Sequence, residues 1–125
     1  MNERRRSQRI NIVLPVWFES PDSNEDLAKA TTININANGI CLSSGDKLNL
    51  GQVLPIQVGL PTDEKITITV KVIWVREVDH VMTAEKEFRA GIKITDPTKP
   101  VESKFIQFYT EQLHNLSIKP IPDRF

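Results

Sequence analysis

The stretch ITITVKVIWV, residues 66–75, decides the fold. Ile66, Ile68, Val70, Val72 and Trp74 fall on every second position with Thr67, Thr69 and Lys71 between them, which puts the apolar set on one face of an extended strand. The abundance of β-branched Ile, Val and Thr favours the same pleated backbone. At the far end Ile73 and Val75 add apolar side chains to the outer face, so a further element is expected to cover that surface.

The rhythm extends in both directions. Upstream, Leu54, Ile56, Val58 and Leu60 alternate inward over residues 53–60, and Pro61-Thr62-Asp63 turns the chain between the two strands. Earlier still, Ile12, Leu14, Val16 and Phe18 alternate, and Pro15 suggests a position whose amide faces no neighbour. After the turn-forming residues 21–26, a strand over 27–35 runs into Asn36-Ala37-Asn38-Gly39. Asn-Gly is a strong signal for a tight turn with positive φ. Residues 40–43 make the return strand, with Cys41 expected as a small buried or half-buried thiol. Downstream, 79–87 is a polar connection, and Phe88, Ala90, Ile92 and Ile94 make a last strand.

Near residue 96 the period changes. Val101, Phe105, Phe108, Tyr109, Leu113 and Leu116 recur at three-to-four spacing, which predicts an amphipathic helix starting at Asp96-Pro97 or near Pro100. The outer-face residues Trp17, Ile73 and Val75 are candidates to receive its apolar stripe. Six short strands followed by one helix predict a small antiparallel barrel or sandwich closed by that helix. One domain over 1–116 accounts for the chain, with an Arg-rich arm at 1–9, the barrel at 10–95, the helix at 96–116 and a tail at 117–125.

Composition narrows the function. The chain has 125 residues, with sixteen Lys and Arg against sixteen Asp and Glu, so charge recognition has to be local. A single cysteine excludes an internal disulfide and suits a reducing compartment, and no His or Cys spacing suggests zinc. No segment approaches the length of a membrane span, so a cytoplasmic protein without membrane insertion is expected. His80 and His114 lie apart without a carboxylate partner in register. Ser44-Gly45-Asp46-Lys47 has a Ser-x-x-Lys spacing but sits in a turn, and nothing assembles a nucleophile, base and oxyanion hole. A non-enzymatic protein without a cofactor is the expectation.

Two local features remain. Residues 1–10, MNERRRSQRI, concentrate Arg4, Arg5, Arg6 and Arg9 ahead of the first strand. Their guanidinium groups can fork onto phosphate oxygens or a guanine edge, or stay in solvent. In residues 34–39, NINANG, the alternation of Ile33 and Ile35 with Asn34 and Asn36 projects two carboxamides from one outer face, and Gly39 lets backbone approach a ligand. Alternatively, the asparagines serve only the turn.

The ERRRSQR arm, the NINANG turn, the long strand ending in Trp74 and the FRAGIKI strand before a C-terminal helix together resemble the PilZ domain, from about Glu3 to Leu116. The resemblance implies a six-stranded antiparallel β-barrel with a C-terminal α-helix and a flexible N-terminal arm. It further implies a bacterial receptor for the second messenger cyclic di-GMP, which the family binds through an RxxxR arm and a (D/N)xSxxG turn. On those motifs Arg5 and Arg9 take the arginine positions, Asn34 the D/N position and Gly39 the glycine, while Asn36 stands where the family usually has serine. Arg4 and Arg6 are possible additional contacts. Trp74, in phase with the buried face, is expected in the core, with stacking on a base as its alternative role. The arm is expected to fold over the messenger and to signal to a separate effector protein. The competing readings are an interaction module on the same fold that does not bind the nucleotide, and a nucleic-acid-binding barrel. Balanced charge and few exposed aromatics speak against the last.

Overall fold

The computed structural model describes residues 8–19, 27–79, 86–96 and 99–118, the side chains from 116 onward excepted. Six strands and one helix follow in chain order: β1 Pro15–Phe18, β2 Ala28–Ile35, β3 Gly39–Ser44, β4 Val53–Gly59, β5 Lys65–Val78, β6 Glu87–Ile94 and α1 Pro100–Ile118. All pairings are antiparallel, and the sheet closes in the order β1-β2-β3-β6-β5-β4. Closure removes the exposed strand edges that an open sheet leaves as templates for aggregation. The alternating sets meet inside as expected: Leu14, Val16 and Phe18 of the first strand region, Leu54, Ile56 and Val58 of β4, and Ile66, Ile68, Val70 and Val72 of β5 are all buried.

Two bulges interrupt the alternation. Thr32 pairs with Leu42 but Asn34 pairs with Cys41, leaving Ile33 as the extra residue of β2. In β5, Val72 pairs with Ile92 and Trp74 with Gly91, leaving Ile73 extra. One inserted residue exchanges the two faces of the strand beyond it. On β2 the inward set therefore runs Ala28, Ala30, Thr32 and then Ile35, with Ile33 only half-buried. On β5 the inward set ends at Val72, and Val75 instead of Trp74 continues toward the core. Trp74 is 39% exposed on the outside of the barrel, which corrects its expected place in the core. Thr32, Ser44 and Glu102 are buried polar residues among those described, and Thr32 ties two strand regions together. Its hydroxyl accepts the Leu14 N–H at 2.8 Å and donates to the Ile12 carbonyl at 2.6 Å, fixing the chain just before β1.

The helix begins at Pro100, with the Ser103 N–H donating to the Lys99 carbonyl in its first turn. Glu102, itself buried, reaches the sheet: its Oε2 accepts the Thr69 N–H at 3.0 Å. Lys104 pairs with Glu64 in the β4–β5 turn. Phe105, Phe108 and Tyr109 join the main core. The helix does not cover Ile73, which is 50% exposed, and Trp17 is occupied otherwise, with Lys65 Nζ 4.6 Å from its ring centroid. Among the described residues no helix is long and apolar enough to cross a membrane.

Candidate functional site

Arg9 is held at both ends by backbone. Ile10 and Ile35 exchange two hydrogen bonds, at 2.8 and 3.0 Å, in an isolated antiparallel bridge. One residue earlier, the Gln8 carbonyl accepts a hydrogen bond from the Tyr109 hydroxyl on α1. The bridge lands on Ile35, between Asn34 and Asn36, so the root of the arm is stitched to the strand that carries both carboxamides. Arg9 therefore belongs to the folded body, not to a free arm.

The corner after β2 is closed by Asn36. Its backbone N–H donates to the Gly39 carbonyl at 2.9 Å, and its carboxamide oxygen accepts the N–H groups of Asn38 and Gly39, each at 2.8 Å. This side-chain turn replaces the positive-φ turn expected from Asn-Gly. Among the described residues only Asp63 and Gly51 have positive φ. Gly39 is needed for a different reason than ligand approach: a Cβ there would lie 2.2 Å from the Ile92 carbonyl oxygen across the β3–β6 ladder.

Ladder registers give the outer face its layout. Gly39, Lys93 and Lys71 form one row across β3, β6 and β5; Cys41, Gly91 and Trp74 form the next; Ser43, Arg89 and Arg76 form the third. Asn34 extends the middle row on β2. Small residues on β3 and at Gly91 keep the floor low. The space above Gly91 is filled by the neighbouring indole, since a Cβ at residue 91 would lie 2.0 Å from Trp74 Nε1. The result is an open cleft of about 280 Å³ lined by Arg9, Asn34, Asn36, Asn38, Cys41, Trp74 and Lys93 among others. That is close to the lower limit for small-molecule sites.

The cleft is cationic. Burial pushes the Cys41 thiol above its ordinary pKa, and Arg89, Arg9 and Arg76 act in the opposite direction, which puts three guanidinium groups in electrostatic reach of one sulfur. Arg89 is oriented by Glu87, whose Oε2 accepts Arg89 Nε at 3.0 Å and the Ser43 hydroxyl at 2.6 Å. Such an arrangement offers charge-assisted donors for phosphate, carboxamides for a purine edge, and one indole for stacking.

Of the residues selected from sequence, Arg9, Asn34, Asn36, Gly39 and Trp74 line the same cleft. Arg4, Arg5 and Arg6 lie outside the described residues, as does His80. His114 is exposed on the helix, and Cys41 is a free, half-buried thiol as expected. Asn38, Gly91, Lys93, Arg76 and Arg89 escaped sequence reading: Asn38 lies in the corner between β2 and β3, the β6 residues gain their neighbours only through the ladder, and Arg76 faces outward only beyond the Ile73 bulge. No group of His, Cys, Asp and Glu suited to a metal occurs among the described residues.

The family model described as "PilZ domain" matches residues 3–111, and the chain belongs to the PilZ domain family. No curated protein matches it in sequence. Similar solved structures include the PilZ domain of YcgR from Escherichia coli with c-di-GMP, at a TM-score of 0.65 and 13% identity over 94% of this chain and 100% of that one. Another is the Bacillus subtilis inhibitor of motility MotI/DgrA, at 0.63 and 19% over 90% of this chain and 52% of that one. A third is MrkH, described as a c-di-GMP-dependent transcription regulatory factor, at 0.67 and 15% over 94% of this chain and 53% of that one. The chain thus spans about half the length of the latter two.

Proposed function

We propose that the protein is a receptor for cyclic di-GMP that acts without catalysis on a separate effector protein in a bacterial cytoplasm. The observation that carries this reading is the convergence of Arg9 with Asn34 and Asn36 on one cleft, with the arm root bonded to Ile35 between the two asparagines. Family membership and the messenger named in the YcgR and MrkH structures support it. The messenger carries two phosphates and two guanines. Arg5 and Arg9 serve the phosphates, Asn34 reads a guanine edge, and Trp74 offers a stacking surface. Arg4 and Arg6 stand close enough in sequence to add contacts. Each charge-assisted hydrogen bond contributes about 1.5 to 3 kcal/mol, and ordering the arm costs roughly 1 to 2 kcal/mol per backbone residue fixed. We expect an affinity around micromolar, equivalent to about −8 kcal/mol. Because Gln8 to Ile10 are already tethered, any arm closure on binding starts before Gln8.

A second reading, an interaction module that does not bind the nucleotide, is favoured by one observation: the Asn36 carboxamide oxygen is committed to its own turn. Titration calorimetry with cyclic di-GMP separates the two. The wild type should release binding heat, and Arg5→Ala or Arg9→Ala should each weaken binding at least about tenfold, equivalent to about 1.4 kcal/mol. Absence of wild-type heat supports the second reading, and unchanged affinity in both variants rejects the site.

A further inference from the structure

Directly opposed like charges destabilise a pair of strands. Among the described ladders, two such pairs occur, Lys71 with Lys93 and Arg76 with Arg89, and both lie on the β5–β6 ladder. They flank the Trp74–Gly91 pair, one on each side. Arg89 is partly neutralised by Glu87, but Lys71, Lys93 and Arg76 make no ion pair with another described residue. In a chain whose formal net charge is zero, this face concentrates unneutralised cations around its exposed indole. Lys93 and Arg89 are four residues apart on β6, about 13 Å at strand rise, a span that long flexible side chains narrow from both ends.

The arginine row lies on the Ser43 side of the Cys41–Gly91–Trp74 row, while Arg9, next to the Ile10–Ile35 bridge, lines the cleft level with Asn36 and Gly39. The lysine row lies beyond the indole, with Lys93 lining the cleft beside Gly39. We propose that the Lys71–Lys93 pair is a second phosphate subsite, so that the cleft takes a ligand with phosphates on opposite sides of a nucleobase stacked on Trp74. This rests on the cyclic dinucleotide reading and extends it: the two phosphates are divided between an arginine subsite and a lysine subsite. A bound phosphate also relieves the repulsion that the opposed lysines impose on the free barrel. Ammonium groups serve this purpose as point charges, without the forked geometry that the arginine row supplies.

The test is calorimetric titration of cyclic di-GMP into the full-length wild type, Lys71→Ala/Lys93→Ala, Lys71→Arg/Lys93→Arg and Arg9→Ala, each at low and high salt. The double alanine variant should bind about tenfold or more weakly and lose part of the salt dependence of the affinity, because a screened phosphate contact is gone. Its melting temperature should be equal or higher, which a merely structural role of the lysines would not produce. The double arginine variant should retain binding. Wild-type affinity and salt dependence in the double alanine variant, alongside weakened binding in Arg9→Ala, overturns the lysine subsite and leaves the receptor reading intact. If the wild type itself does not bind, both fall.

Discussion

Asn36 commits its carboxamide oxygen to two N–H groups of its own turn, which makes it a structural residue at the position that the motif resemblance assigns to a serine. A serine hydroxyl is too short to serve both donors well, but it leaves more room in the cleft and can still meet a ligand. Asn36→Ser should therefore lower stability by about 0.5 to 1.5 kcal/mol, the net worth of a hydrogen bond, while tightening binding of cyclic di-GMP. Thermal melts and calorimetry on the same sample check both signs, and weaker binding would show that asparagine suits this ligand better. Trp74 gives the complementary lesson. Its parity in the sequence matches Ile66, Ile68, Val70 and Val72, and only the extra Ile73 turns it outward onto Gly91. Nothing local marks that insertion, since Val72-Ile73-Trp74 is as apolar as any core strand. The asparagines were legible because their polarity contrasts with their neighbours, whereas the tryptophan was not.

The strands and helix show where such insertions matter. Both bulges adjoin the cleft: Asn34 directly follows the extra residue of β2, and Trp74 that of β5. Bulges re-aim side chains, and here they deliver one polar and one aromatic residue to the same row. Helix α1 contributes from the other side through the hydrogen bond from Tyr109 to the Gln8 carbonyl. Tyr109→Phe keeps the ring in the core and removes only that tether, so it should leave the fold intact, weaken cyclic di-GMP binding about three- to tenfold, equivalent to about 0.65 to 1.4 kcal/mol, and speed exchange of the Ile10 amide. Burial raises the Tyr109 phenol above its ordinary value near 10. An acid whose pKa is higher in the folded state favours folding in its neutral form. The stability from the buried phenol is therefore complete below about pH 10 and falls as the pH rises past it. Exchange of the Ile10 amide near neutral pH checks the tether, and melting temperatures at rising alkaline pH should fall more steeply in the wild type than in Tyr109→Phe. Unchanged affinity in the variant would mean that the helix does not position the arm.

For the molecule as a whole, the closed barrel divides labour between its walls. The cleft lies outside β2, β3, β6 and β5, while β4 closes the far side between β1 and β5. Alternation made that enclosure legible, because burial on one face leaves a periodic record in each strand. Which outer residues become neighbours was hidden, since Lys71 meets Lys93, and Arg76 meets Arg89, only through register across the ladder. A rigid wall that supports the site without touching the ligand should contribute to stability additively with binding. Ligand at one hundred times its Kd stabilises the folded state by about 2.7 kcal/mol, roughly a 10 °C rise in Tm for a domain of this size. Ile56 is buried on β4, and Ile56→Val should cost about 0.5 to 1.5 kcal/mol. If the walls act independently, that variant melts lower but keeps the full messenger-induced rise, as distant sites do. Arg9→Ala should show the converse, a near wild-type melt in buffer and a diminished rise with messenger. A reduced rise in Ile56→Val would instead reveal that ligand energy is transmitted through the core, and the receptor would then signal by deforming the barrel as well as by presenting an altered cleft surface.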